Sequence, residues 1–295
     1  MTSAEESVSL TATGAVARRQ AISRLSRYVL LAATALGILV LALLAVRIVN
    51  QGGSSLSWAF LTNYPSRFAA EAGLRSSIIG TAWIMATTVV FALPVAVATA
   101  IWLEEFAPRQ RWVDLVRLNI SNLAGVPSII YGILGLAVFV RFLELGPSIL
   151  AGALTLALMI APITVIASSE AIRQVPSSIR DASLALGATR WQTTWHHVLP
   201  NAVPGIMTGV ILSVSRAAGE TAALIMIGAF AFIAFDNTSL NDSFTVVPIQ
   251  VYNWTIRPQA EFQQIAAAGI IVLMVFIVGM NLIAVLIRER FRKIF

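Results

Sequence analysis

Apolar runs of about twenty residues, separated by short polar stretches that carry arginine, recur from residue 28 almost to the end of the chain. A helix needs roughly 20 residues to cross a hydrocarbon core of about 30 Å. Windows of that length predict helices over Tyr28–Val49, Ser76–Leu103, Leu123–Leu143, Ile149–Ser168, Val203–Gly228 and Ile265–Ile287. The pattern reads as an all-α integral membrane protein, with a polar arm over residues 1–27 and a six-helix domain over residues 28–295. The first run is longer than the apolar core of a signal peptide and no clear small-residue cleavage site follows it, so it is read as the first span. Pro94, Pro127, Pro162 and Pro204 fall in or at the edges of four spans. They suit a bundle that moves, and equally a bundle with ordinary kinks.

The connecting stretches set an orientation. The arm (Arg18, Arg19, Arg24, Arg27), the second loop (Arg109, Arg111, Arg117), the fourth loop (Arg173, Arg180, Arg190) and the tail (Arg288, Arg290, Arg292, Lys293) carry fourteen basic residues. The other side carries five: Arg47, Arg67, Arg75, Arg141 and Arg257. Basic residues concentrate on the cytoplasmic side, so both termini and the fourth loop, residues 169–202, are expected in the cytoplasm.

Composition narrows the function. The chain is 58% hydrophobic and 12% charged, and its net charge of +6 lies at the ends of apolar runs. That placement belongs to membrane orientation and gives no nucleic-acid patch. With no cysteine and only His196 and His197, both in the fourth loop, no metal-ligand cluster or Ser/His/Asp spacing emerges, which speaks against an intramembrane enzyme. A phosphate-cradling P-loop needs a lysine, and the only lysine is Lys293 in the tail. If ATP-Mg drives this chain, a separate polypeptide hydrolyses it, and the chain itself is expected to bind no cofactor.

The fourth loop carries two short-helix signals. Pro176 with Ser177 and Ser178 starts one helix, whose face is Ile179, Ala182, Ser183 and Leu186 and whose C-terminal cap is Gly187. Thr189 caps a second, with Trp191, Thr194, Trp195 and Val198 on one face and an end at Leu199-Pro200. Such an element either lies at the interface with its tryptophans among headgroups or projects as a docking knob.

The last unabsorbed feature is the stretch SVSRAAGETAALIMIG, residues 213–228, which places Arg216 and Glu220 four apart in an apolar run. An intramembrane arginine costs roughly 2.5–3.5 kcal/mol on insertion scales, so it is paired, turned inward or lines a pathway. Two readings stand. Arg216 and Glu220 form a buried pair that fixes packing, or the guanidinium fork meets the oxygens of a phosphate- or sulfate-like anion while Glu220 orients it.

Asp181-Ala182-Ser183, three residues, Gly187, nine residues, then His197-Val198-Leu199-Pro200 resembles the EAA loop of ABC-importer permeases. Ala182, Gly187, Leu199 and Pro200 match that pattern at its spacing, whereas Asp181, Ser183 and His197 depart from it. In that family the loop docks on an ATP-hydrolysing subunit. The segments IWLEEFAP from Ile101, NLAGVPSIIYGILGLAVFV from Asn122, SRAAGETAAL from Ser213 and FTVVPIQVYNWTIRPQAEF from Phe244 resemble the A-type permease of the bacterial phosphate-specific ABC importer. The resemblance implies the six-span type I importer fold in the inner membrane and a pathway built around Arg216, Glu220 and Thr221. It also implies a complex with a C-type permease, two ATP-binding subunits and an extracytoplasmic phosphate-binding protein. The stretch Ala229–Gln264 fits as the binding-protein side through Phe230, Phe232, Phe235, Tyr252 and Trp254, although an aromatic membrane belt reads as well for the first three. Sulfate, molybdate or phosphonate as cargo, and a secondary transporter in which Glu220 relays protons, remain open alternatives.

Overall fold

The structure is a computed structural model and describes residues 14–292, Ala231 excepted. The first thirteen residues of the arm and Lys293 lie outside the described residues. Two compact units divide the chain after Asn50. The first contributes helix α1, Ala15–Gly52, which extends the predicted Tyr28–Val49 span backward through the arginine-bearing part of the arm.

In the second unit the order is α2 (Trp58–Thr62), α3 (Arg75–Ile101, prolonged by a π turn over Trp102–Phe106), α4 (Arg111–Ala124), α5 (Ser128–Gly135, prolonged by a π turn to Phe142) and α6 (Ile149–Arg173). It continues with α7 (Ser177–Ala185), α8 (Arg190–Thr193, leading through a π turn into α9), α9 (Leu199–Ala218), α10 (Ala222–Ile227), α11 (Val247–Thr255) and α12 (Ala260–Arg292). Among the described residues, five helical stretches are long and apolar enough to cross a membrane: Arg18–Ser55, Arg75–Phe106, Ile149–Arg173, Arg190–Ala218 and Ala260–Arg290. The pair 111–124 and 128–142, bent by 102°, makes a sixth when counted as one span.

Two predicted spans are therefore broken. The third was expected as one helix over Leu123–Leu143, but Gly125-Val126-Pro127 interrupts it, and the second loop before it is the helix α4 rather than coil. Pro127 has no N–H and forces Val126 out of the helical region, so the helix restarts after it. The fifth, expected over Val203–Gly228, stops at Ala218. Pro94, Pro162 and Pro204, in contrast, sit inside helices that continue through them.

Helix α6 is the central element, packed between α3 and α9. Its inward positions are small or branched and sealed from solvent: Ala151, Gly152, Ala153, Thr155, Leu156, Ile160 and Thr164. Against α9 the contact is a small-residue seam. A Cβ on Gly205 would lie 2.7 Å from the Ala171 methyl, and Gly209 presses in the same way on Ala167. Residues four apart on each helix thus face each other with almost no side chain between the backbones, the arrangement by which helices associate where water supplies no driving force.

At the end of the bundle opposite the 169–202 loop, residues 233–247 are sewn to α3. Ser76 Oγ donates to the Ile233 carbonyl (2.7 Å), Trp83 Nε1 to the Asn237 carbonyl (3.2 Å), and the Val247 amide to Thr81 Oγ1 (3.0 Å). Arg75 Nε donates to Asp236 Oδ1 at 3.0 Å, and this bond holds the Asp236 carboxyl below the usual carboxylate range. Helix α11 packs against α12, and Trp254 is completely buried beside Phe60, with ring centroids 5.8 Å apart. Truncating Trp254 to alanine leaves a ring-sized cavity there. Trp254→Ala is expected to cost roughly 3–5 kcal/mol, read as a lowered midpoint of thermal unfolding of the detergent-purified chain.

Candidate functional site

The stretch that carries Arg216 and Glu220 does not form one helix. Arg216 stands in the last turn of α9, where a cation complements the free carbonyls of the helix end. Glu220 lies beyond that end, and its Oε1 accepts from the amides of Ala222 (3.1 Å) and Ala223 (3.3 Å) at the start of α10. The predicted helix-face pairing of Arg216 with Glu220 is thus replaced. The break at Gly219 turns the chain, and two orphan amides of the new helix take the carboxylate that would otherwise reach back to the arginine. No ion pair to Arg216 forms among the described residues.

The surroundings of Arg216 are asymmetric. Ser213, Val214, Ala217 and Ala218 are buried in the bundle, whereas Arg216 is exposed. Tyr131 lies within electrostatic reach of its charge and donates to the Leu123 carbonyl at 2.8 Å. Ser215 Oγ, next to Arg216, is bonded to Asn281 of α12. Thr221 is half-buried, with its hydroxyl 3.4 Å from the Gly219 carbonyl. Arg216, Glu220 and Thr221 therefore share one helix break, with Arg216 exposed and without an ion pair among the described residues.

The 169–202 loop forms the two helical turns read from its sequence. Thr189 and Gln192 make a full capping box: the Gln192 amide donates to Thr189 Oγ1 at 3.3 Å, and the Thr189 amide to Gln192 Oε1 at 2.9 Å. Gly187 turns the corner at φ +86°, a left-handed conformation that glycine adopts without strain. The predicted faces are corrected. In the first helix only Ile179 and Ser183 turn inward, Ser183 Oγ lying 2.9 Å from Thr193 Oγ1, while Ala182 is exposed and Leu186 is 89% exposed at the tip. In the second, Thr194 and Val198 are buried, and Trp191 and Trp195 stack face to face on the outside, with centroids 5.7 Å apart.

Nor does the second helix end at Leu199-Pro200. The π turn over Thr194–Val198 changes the bonding register, the Leu199 amide reaches back to the Thr194 carbonyl, and the chain runs on into α9. Pro200, with no amide to satisfy, sits in the first turn where that lack costs least. Asp181, Ala182 and Gly187 are thus on the outer surface of the knob, whereas Ser183, Leu199 and Pro200 hold its shape from within or at its root. Of the aromatics assigned to the opposite face, Phe230, Phe232, Phe235 and Tyr252 are exposed, but Trp254 belongs to the core, because α11 folds back into the bundle instead of remaining in a loop.

Sequence reasoning missed the acidic pair Glu104 and Glu105 in the π turn that prolongs α3. Each receives arginines from elsewhere in the fold: Arg117 and Arg173 for Glu104, Arg180 for Glu105. The pair was legible only as part of a resemblance, and its arginines only as orientation charges.

The all-helical bundle, with its small-residue seam and two-turn knob, has the type I ABC-importer permease fold, as the comparisons with known proteins show. Residues 96–293 match the family model described as "Binding-protein-dependent transport system inner membrane component", and the chain belongs to that family. It is a multi-pass inner-membrane protein and a transport subunit, not itself an enzyme.

Among its relatives, the probable ABC transporter permease protein YqgI of Bacillus subtilis is 32% identical over 249 residues, 80% of this chain and 85% of that protein. The phosphate transport system permease protein PstA 1 of Mycobacterium tuberculosis is 32% identical over 226 residues, 76% and 72% of the two chains. Among solved structures, the bacterial alginate ABC transporter superposes with a TM-score of 0.63 at 16% identity, covering 89% of this chain and 94% of that one. The inward-facing MetNI methionine ABC transporter gives 0.59 at 18% identity, covering 72% and 94%.

Because the Glu220 carboxylate caps α10, Glu220→Ala is expected to weaken the start of that helix by ~1 kcal/mol. Hydrogen exchange of the Ala222 and Ala223 amides should accelerate about fivefold, with Glu220→Gln retaining most of the protection.

Proposed function

We propose that this chain forms, with a second permease, the membrane pathway for inorganic phosphate in an ATP-driven importer, and that Arg216 is its oxyanion contact. The observation that carries this reading is the exposure of an ion-pair-free arginine on an otherwise apolar helix. In a membrane such a charge is not left facing lipid, so the face that bears it belongs against a partner subunit or a water-filled pathway. Phosphate as cargo is supported by the resemblance to relatives named as phosphate permeases. A guanidinium fork accepts sulfate or molybdate oxygens equally well, so discrimination among oxyanions comes from groups around it. A proton relay through Glu220 is disfavoured, because that carboxylate is engaged with two backbone amides.

The 169–202 knob faces the cytoplasm in this reading, as the basic residues of the connecting segments indicate, and both termini lie on the same side. Asp181, Ala182, Leu186 and Gly187 meet a separate ATP-binding subunit, two of which use ATP-Mg on behalf of the complex. The exposed Phe230, Phe232, Phe235 and Tyr252 face an extracytoplasmic phosphate-binding protein.

Uptake of radiolabelled phosphate by vesicles holding the whole complex tests the pathway. Arg216→Ala is expected to lower uptake by roughly ten- to a hundredfold, the loss of a charge-assisted bond of ~1.5–3 kcal/mol, while the subunits still co-purify. Undiminished uptake would remove Arg216 from the pathway, and competition by sulfate or molybdate as strong as by phosphate would reassign the cargo. Gly187→Leu is expected to uncouple ATP hydrolysis from uptake. No atom lies within 4 Å of a Cβ at Gly187, so the defect comes from forcing the turn out of its left-handed conformation, at ~1–2 kcal/mol; wild-type uptake per ATP in that variant would exclude the knob as the coupling element.

A further inference from the structure

At the knob end of the bundle, neighbouring carboxylates are held by arginines from separate segments. Glu105 meets Arg180 of α7, with Nη2 2.7 Å and Nε 3.2 Å from Oε1. Arg180 also donates to the Val175 carbonyl at 2.6 Å, just past the end of α6, and to the Ile172 carbonyl at 2.9 Å, which accepts from the Val175 amide as well. Glu104 takes Arg117 from α4 and Arg173 from the last turn of α6, the latter at 3.1 Å. The two acidic side chains are only 11% and 9% exposed.

This geometry differs from a solvated surface pair. A helix turns about 100° per residue, so adjacent glutamates point to different partners, and the π turn that carries them aims one at α4 and α6 and the other at the knob. Helix α7 packs chiefly on α8 and the π turn that follow it, and Arg180 adds a polar tie to the end of α3 beside the apolar packing of Ile179 and the contact of Trp191 with Phe106. Only a guanidinium has enough donors in fixed directions to hold one carboxylate and two carbonyls together. Removing Arg180 would leave the Glu105 carboxylate without its donor, and removing Glu105 would leave the guanidinium without its carboxylate.

We propose that the Glu105–Arg180 pair, braced by Glu104, is the joint through which motion of the knob is passed to α3 and α6. Both are positioning residues that touch no cargo. The inference rests on the reading of the knob as the ATPase-docking element. The knob moves as one body with the ends of α3 and α6, and α4 follows through Glu104.

In vesicles with the whole complex, Glu105→Gln and Arg180→Lys are expected to preserve co-purification and ATP hydrolysis but to lower phosphate moved per ATP by about tenfold. The natural chain has no cysteine, so a Glu105→Cys/Arg180→Cys chain bridged by a short bis-maleimide replaces the ion pair covalently and should regain coupling relative to the unbridged form. A cargo-independent readout separates the joint from the substrate: maleimide labelling of Ala222→Cys, shifted by ATP with the native joint, should no longer shift in the Glu105→Gln background. Absence of phosphate uptake with a normal ATP-dependent labelling shift rejects phosphate and upholds the joint. A labelling shift unchanged by Glu105→Gln, a wild-type uptake ratio in both single variants, or loss of the ATPase from the purified complex overturns it.

Discussion

The seam between α6 and α9 is the contact on which the rest of the molecule depends. Gly205 and Gly209 of one helix lie against Ala171 and Ala167 of the other, and any larger side chain there would push the backbones apart. Association inside a membrane relies on dispersion and shape, because lipid tails are as apolar as leucine. Close backbone approach is therefore what holds the bundle together, and small residues are what permit it. The seam also fixes the axis of the helical stretch from Arg190 to Ala218, which begins in the 169–202 knob and carries Arg216 in its last turn.

One helical stretch consequently connects the two places where chemistry is concentrated. Its 29 residues span on the order of 40 Å at 1.5 Å per residue, comparable to a bilayer with its headgroup regions. At one end a π turn and Pro200 carry the chain smoothly out of the knob, and at the other Gly219 ends it and Glu220 starts α10. Neither irregularity is a defect. Pro200 has no amide to satisfy and stands at the start of α9, and the Glu220 carboxylate takes two amides of α10.

Charge is used sparingly and unequally. At the knob end, carboxylates and guanidinium groups saturate one another in a network that spans α3, α4, α6 and α7. At the far end, Arg75 and Asp236 hold the 233–247 segment to α3. Arg216 alone among these arginines is left without a carboxylate. Arg257, half-buried, has the Phe262 ring beneath it, whereas an exposed guanidinium on a membrane-length helix is stable only where water, an anion or another subunit meets it.

The class, the approximate spans, the charge bias of the connecting segments and the two-turn knob with its Thr189 cap and Gly187 corner are legible in the chain alone. Those features depend on local length, periodicity and backbone preference, which a single chain states residue by residue. Contacts between distant segments, in contrast, arise only when the chain folds. Four residues of spacing made Arg216 and Glu220 look like partners, but the helix breaks between them and the nearer amides of α10 win the carboxylate. Trp254 read as a surface aromatic until α11 folded back against Phe60, and Glu104 and Glu105 read as the edge of a span until arginines 13 to 75 residues away closed on them. A side chain's chemistry is written in its identity; its partner depends on which helices come close, and in this fold that is settled by where glycine and alanine let two backbones meet.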